Sequence, residues 1–295
     1  MAERTSSFLA GLIGAGIGAS LSPPLHEREG EENGLRIVYR LIDIDDIKLD
    51  VSRTATLLTE ALHMGYSGLN ITHPCKQVVF DHLDELSPEA ATIGAVNTVV
   101  FNGTWSVGHN TDWIGFSRAL DRGVPGGRVR DVVLVGAGGA GSAVAYALLR
   151  RGVHHLTVVD VARTPAEALV SRMADHFGGS RVSIAHPDEL ESRLARADGV
   201  INATPIGMLA HPGLPFPSQL LTARHWVADL IYAPFETELL HHARGIGCRA
   251  LGGGGMLVFQ AAEAFRLFTG TQPDAERMLR HYRTLTAPES TPMAS

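Results

Sequence analysis

Apolar and polar positions divide the chain into alternating blocks. Residues 9–17 form an apolar, glycine-rich run that predicts a buried strand feeding a loop, and Ser20-Leu21-Ser22-Pro23-Pro24 interrupts regular structure before a helix. Strands are predicted at 37–42 and 68–72 and helices at 52–64 and 78–86, an alternation that favours a mostly parallel sheet. Residues 94–101 and 105–109 predict two short strands joined by Asn102-Gly103, a pair that readily takes the left-handed backbone of a tight hairpin. Trp113, Phe116 and Leu120 share one side of a predicted helix at 112–120.

The texture changes at 123–130, where glycine and proline mark a junction between domains. Val132-Val133-Leu134-Val135 then predicts a fully buried strand, 142–151 a helix and 156–159 a second strand, which together make one βαβ unit. Further strands are predicted at 199–203 and 227–231, and helices at 256–268 and 274–285. The polar, proline-containing residues 286–295 read as a flexible tail.

Composition narrows the function classes. A chain of 295 residues predicts about two domains with a substantial core. With 25 basic and 31 acidic residues the net charge is −6, so no global positive field draws phosphate backbones or anionic lipid, and neither nucleic acid nor membrane is the expected partner. Cys75 and Cys248 lie far apart with no ligand spacing, which argues against a disulfide framework or a zinc site and makes a reducing cytoplasm the expected location. No metal is expected: His241-His242, Asp43-Ile44-Asp45-Asp46 and Arg150-Arg151 read as solvated faces.

Gly136-Ala137-Gly138-Gly139-Ala140-Gly141 fits G-x-G-x-x-G between an apolar strand and a helix. Gly136 serves the tight turn, Gly138 lets backbone approach a pyrophosphate, and Gly141 lets helix and strand pack closely, with the helix N-terminus facing the phosphates. Asp160, at the end of the second strand, is placed to bind the ribose hydroxyls, and its charge opposes a 2′-phosphate. NAD is therefore favoured, with NADP possible because Arg163 lies three residues on.

In Asn70-Ile71-Thr72-His73-Pro74-Cys75-Lys76, Asn70 and Thr72 point to one face and could clamp a polyol. Lys76 is expected in the first turn of the following helix, where the dipole would ease loss of its proton; alone it reads as a surface lysine more readily than as a catalyst. Asp112, in His109-Asn110-Thr111-Asp112, reads either as a helix N-cap or as a catalytic carboxylate at the junction between domains.

Together these segments resemble the shikimate dehydrogenase family, including its quinate/shikimate branch, over nearly the whole chain. Ser20-Leu21-Ser22-Pro23 resembles the family's S-x-S/T-x-P loop, 70–76 its N-x-T-x-P-x-K segment, 94–98 its G-A-x-N-T stretch and 110–115 its N-T-D-x-x-G. Asn202-Ala203-Thr204-Pro205-Ile206-Gly207-Met208 is similar to the loop beside the nicotinamide, and Gly254-Gly255-Met256 through Gln260-Ala261 to the family's G-x-x-M-x-x-x-Q-A helix. The resemblance implies an α/β fold of two domains: a substrate domain at 1–112, with a mostly parallel sheet, completed by helices at 256–285, and a Rossmann-type domain at 124–254. It implies reversible hydride transfer between a nicotinamide and the carbon bearing a ring hydroxyl of shikimate, with Lys76 and Asp112 as the acid/base pair. Ser20 and Ser22 would take the ring carboxylate, Tyr232 would be a further contact there, and Asn70, Thr72, Asn97 and Gln260 would take the hydroxyls. The cofactor side would comprise Gly136, Ala137, Gly138, Gly139, Ala140, Gly141, Asp160, Asn202, Ala203, Thr204, Pro205, Leu230 and Gly253. The expected partner is a small cyclic hydroxy acid, and the expected assembly a monomer or homodimer.

Two departures from the family pattern matter. Where its NADP-using members carry Asn-Arg-Thr, this chain has Asp160-Val161-Ala162, which removes the phosphate-binding arginine and resembles the NAD-preferring branch. That branch often has threonine at the position of Ser22, whose extra methyl bears on quinate. An aminoshikimate dehydrogenase and a non-catalytic NAD sensor are the competing readings.

Overall fold

The computed structural model describes residues 6–126 and 129–287. Its elements run β1 (Ser7–Gly14), α1 (Ser22–Glu32), β2 (Arg36–Asp43), α2 (Thr54–His63), β3 (Gly68–Ile71), β4 (Glu85–Leu86), α3 (Pro88–Ile93), β5 (Thr98–Asn102), β6 (Trp105–His109) and α4 (Asp112–Gly123). There follow β7 (Asp131–Val135), α5 (Gly139–Arg151), β8 (His155–Val159), α6 (Arg163–Phe177), β9 (Val182–Ala185), α7 (Leu190–Leu194), β10 (Gly199–Asn202), β11 (Trp226–Asp229), α8 (Glu238–Gly245), β12 (Arg249–Leu251), α9 (Gly254–Thr269) and α10 (Ala275–Thr286).

Among the described residues the strands form two six-stranded sheets, one in each of two domains. The first has the order β2-β1-β3-β5-β6-β4, with β5 antiparallel to both its neighbours. The second has the order β9-β8-β7-β10-β11-β12 and is parallel throughout. Its strand order reverses between β7 and β10, the crevice where ligands bind in open parallel sheets.

Period-two alternation builds the layers. In β7, Val132 and Leu134 join the core under α5 and α6, while Val133 and Val135 join the core under α7 and α8. In β1, Ala10 and Leu12 face Ala264 and Phe268 of α9, while Ile13 faces Leu58 and Ala61 of α2. Helix α9 therefore covers the first sheet, although it follows the second in the chain. Gly115 admits this packing: a Cβ there would lie 2.6 Å from the Met256 carbonyl oxygen.

Two expectations are corrected. Residues 78–86 are not a helix: a short 3₁₀ turn covers Phe80–His82, and Glu85–Leu86 pair with Val107 and Gly108 of β6. Asp84 and Ser106 exchange hydrogen bonds that pull this stretch to the sheet edge. Residues 94–101 are not one strand, because β5 begins only at Thr98; Gly94, at φ 73°, closes α3, whose N-cap Ser87 and N-terminal Pro88 are sequence signals of a helix start. Helix α6, strand β9, helix α8 and strand β12 complete the second domain without having been singled out by their patterns. No described helix is long and apolar enough to cross a membrane. The break at 123–130 is described except for residues 127 and 128, and of the expected tail residues 288–295 lie outside the described residues.

Helix α10 is tied to α1 by Glu29, whose side chain is 2% exposed and accepts from Arg277 Nε at 2.9 Å and Nη2 at 2.6 Å. The Asp274 amide and Asn33 Nδ2 also donate to it. Arg277→Ala leaves that carboxylate buried with less compensation. Because the guanidinium is itself 30% exposed, the expected loss is on the order of 2 kcal/mol, read as a lower urea midpoint; an unchanged midpoint contradicts it.

Candidate active site

Lys76 lies in consecutive turns after β3, not in a helix, and its carbonyl accepts from the Val96 amide. The dipole argument for this lysine therefore lapses, and a carboxylate takes its place. Lys76 Nζ lies 2.5 Å from Asp112 Oδ2, with the two side chains 18% and 8% exposed. Asp112 is not the N-cap of α4: Thr111 holds that position, and Asp112 is the first helical residue with its carboxylate turned to the lysine.

The second carboxylate oxygen accepts from Asn97 Nδ2 at 2.8 Å. Asn97 also donates to Thr111 Oγ1 and accepts from the Thr111 amide at 2.7 Å, which fixes the entry to α4. Thr111 Oγ1 in turn reaches Gln260 Oε1 at 3.3 Å. On the other side, Thr98 Oγ1 donates to Asn97 Oδ1 and accepts from Asn70 Nδ2, both at 3.0 Å. Asn70 Oδ1 accepts from the Tyr39 hydroxyl at 2.7 Å, and the Ser22 side chain bonds the same phenol. One polar chain thus runs from Ser22 to Lys76.

Tyr39 is a member that the sequence did not single out. Its ring stacks on buried His26 at 4.7 Å, and burial holds that histidine at a pKa of about 3, hence neutral. Ser20 Oγ accepts from the Ser22 amide at 3.2 Å, and the Thr72 amide donates to the Ile13 carbonyl. Tyr232 is not hydrogen-bonded to this chain among the described residues. Burial pushes its phenol pKa up, and burial pushes the neighbouring Tyr282 phenol up to about 12.

The nucleotide loop sits opposite. Gly136 has φ 105° and abuts the Ala203 backbone, while a Cβ on Gly141 would overlap the Gly136 carbonyl oxygen. Gly138 faces open space, and the first-turn amides of α5 have no intrahelical acceptors, so the loop fits a pyrophosphate. Asp160 accepts from the Ala137 amide at 2.7 Å and the Ala162 amide at 2.8 Å. Val161 is 95% exposed, and Arg163 is engaged by Glu167 at 2.6 Å. Gly139 links the two halves: a Cβ on it would lie 3.5 Å from Lys76 Cδ and 3.8 Å from Ala95 Cβ.

Asn202 has no exposed surface, and its amide is committed to Thr204, Ile206 and Asp229. Leu230 donates its amide to the Asn202 carbonyl, and Gly253 donates to Ile231. A Cβ on Gly253 would overlap the Leu230 carbonyl, so these residues meet beside Thr204 and Pro205 at the C-terminal edge of the second sheet.

Three family models match the chain: the shikimate dehydrogenase substrate binding domain over residues 12–99, shikimate / quinate 5-dehydrogenase over 122–207, and the shikimate 5′-dehydrogenase C-terminal domain over 253–281. A shikimate dehydrogenase (NADP(+)) of Streptomyces avermitilis is 55% identical over 273 residues, covering 92% of this chain and 94% of that protein. The chain belongs to the shikimate dehydrogenase family. A second relative in this family, a quinate/shikimate dehydrogenase (NAD(+)) of Corynebacterium glutamicum, is 48% identical and covers 95% of this chain and 99% of its own length. The structure of quinate dehydrogenase from Corynebacterium glutamicum in complex with NAD superimposes with a TM-score of 0.88 at 47% identity, covering 95% of this chain and 100% of that one.

In this shikimate dehydrogenase family member the loop before Ser20 is held by Asp43, which accepts from the Gly16 amide at 3.0 Å and the Ile17 amide at 2.7 Å. Burial alone would raise the Asp43 carboxyl, but the Ile17, Asp45, Gly16 and Asp46 amides together outweigh it and hold the pKa below the usual carboxylate range. A depressed folded-state pKa gives stability that is present above the unfolded value near ~4 and lost as pH falls through the folded one. Asp43→Asn should therefore flatten the loss of stability below about pH 4, measured by thermal melts across pH; a parallel melt profile contradicts it.

Proposed function

We propose that this protein reversibly oxidises the ring hydroxyl of shikimate to the ketone of 3-dehydroshikimate. In this reading residues 1–112, with helices at 256–285, hold the substrate, and residues 124–254 hold the dinucleotide. The supporting observation is the Lys76–Asp112 pair at 2.5 Å, with the lysine stem beside Gly139 of the nucleotide loop. A dinucleotide held at that loop through its pyrophosphate would supply the hydride acceptor or donor.

In the oxidative direction Lys76 in its neutral amine form takes the proton of the ring hydroxyl and becomes the ammonium, as the carbon gives its hydride to the dinucleotide. In the reductive direction the ammonium returns that proton to the carbonyl oxygen. Asp112 stabilises the ammonium and fixes Nζ, while Asn97 on the other carboxylate oxygen stops the pair from rotating. Ser20 and Ser22 are assigned to the ring carboxylate, with Tyr232 nearby, and Thr72, Asn97 and Gln260 to the hydroxyls. Asn70, whose amide is shared between Tyr39, Thr98 and the Asn97 carbonyl, supports that set from behind. The pair argues against a sensor without turnover.

NAD is assigned as the preferred dinucleotide, because Asp160 sits at the end of β8, Val161 offers no cation and Arg163 is paired with Glu167. A reducing cytoplasm suits the two free, buried cysteines. Quinate is the second substrate to test, on the likeness to the Corynebacterium glutamicum quinate dehydrogenase.

Absorbance at 340 nm with shikimate and with quinate, each with NAD and with NADP, tests substrate and cofactor together; no turnover in any combination refutes the reading. Lys76→Ala should lower turnover by about 10²-fold or more while NAD binding stays nearly constant; equal turnover rules out the acid/base role. Asp160→Ala should reduce the ratio of kcat/KM for NAD over NADP, and an unchanged ratio puts cofactor selection elsewhere.

A further inference from the structure

We propose that Asp229 is a positioning residue for hydride transfer, holding the nicotinamide-side loop at 203–208 and the segment bearing Tyr232 in one fixed relation through Asn202 and the Ile231 amide. This rests on the dehydrogenase reading above. Asn202 and Asp229 close neighbouring parallel strands, β10 and β11, and are direct partners in the ladder. Asn202 Nδ2 donates to Asp229 Oδ1 at 3.0 Å and to the Ile206 carbonyl at 3.0 Å, while its Oδ1 accepts from the Thr204 amide at 3.0 Å and Thr204 Oγ1 at 2.6 Å. All the hydrogen-bonding capacity of this amide is therefore spent on the loop and on Asp229.

Asp229 gathers three segments. Its Oδ1 also accepts from the Ile231 amide at 3.2 Å, next to Tyr232, and its Oδ2 accepts from Thr237 Oγ1 at 2.7 Å, the hydroxyl that caps α8. Asp229 is 1% exposed and Asn202 0%, so neither presents a polar atom to a ligand. An apolar pair would fill the space without burying a carboxylate. What the polar pair supplies is direction: the Asn202 amide sets the turn at Thr204 and Ile206, and Asp229 locks that turn to the backbone beside Tyr232. Reacting atoms misplaced by about 1 Å can lose ~10²-fold in rate, so the readout of this lock is turnover rather than affinity.

The test measures turnover per nucleotide-binding site, counted by NADH fluorescence titration, in Asp229→Ala, Asn202→Ala, the double variant and Asp229→Asn. Asp229→Ala should lose about 10-fold or more per site, while the Kd for NADH moves less than about 3-fold, because the pyrophosphate loop is untouched. Asp229→Asn should recover most of the loss, since Thr237 can turn to accept from the new amide. The double variant should fall no more than about 2-fold below the poorer single one, as expected of residues acting through each other. Turnover per site within 2-fold of the parent, a loss carried wholly by weaker NADH binding, or losses that multiply would each overturn the proposal. If Asp229→Ala does not fold, Thr204→Val removes two bonds of the same network, to Asn202 Oδ1 and from the Ile206 amide, and should lower turnover per site several-fold; no change there overturns it as well. A parent protein without dehydrogenase activity defeats the functional reading instead.

Discussion

An ammonium and a carboxylate drawn largely out of water at the seam between two sheets need protein groups to complete their hydrogen bonds. Lys76 and Asp112 meet that requirement in each other, and the remaining Asp112 oxygen draws in Asn97. From Asn97 the demand for partners passes to Thr111 and Gln260 on one side and to Thr98, Asn70, Tyr39 and Ser22 on the other. Residues far apart in the chain thereby become one rigid surface, with few groups free to rotate before a substrate arrives.

A second polar knot, around Asp229 and Asn202, closes the opposite wall. The two knots differ in exposure: the first ends in a lysine that reaches solvent, while the second is sealed from it. Between them lie the glycines, where backbone approaches backbone. Gly136 and Gly141 bring β7, α5 and Ala203 together, Gly115 admits α9 against α4, and Gly253 admits the start of α9 against Leu230. Other glycines, such as Gly34, Gly65 and Gly152, stand in open space and serve left-handed turns instead.

Much of this was legible beforehand. Strands β1, β2, β3, β7, β8, β10 and β11, the Asn102-Gly103 hairpin and the glycine fingerprint follow from local periodicity and turn chemistry, which are sequence-near properties. The segment 78–86 has helical spacing, but that competes with pairing to β6, and hydrogen bonds between Asp84 and Ser106 favour the pairing. Residues 94–97 extend the apolar pattern of β5 backwards, but the preceding helix α3, announced by Ser87-Pro88-Glu89, ends at the Gly94 cap and β5 begins at Thr98. Tyr39 and His26 carried no local signal, since a tyrosine on a strand and a histidine on a helix look alike whether they support a site or a surface.

The sequence by itself determined the alternation of β1, β2, β3, β7 and β8 with helices and the glycine turn between β7 and α5, because each depends on spacing within one short segment. The tertiary structure alone decided that Lys76 is governed by a carboxylate rather than by a helix end, that Asp112 is not a cap, and that Asn202 faces inward to Asp229. Those outcomes rest on contacts across dozens of residues, made only when β10 and β11 lie side by side and the turns after β3 meet the start of α4. A side chain's role is set by its nearest polar neighbour, and for these residues the neighbour comes from another part of the chain.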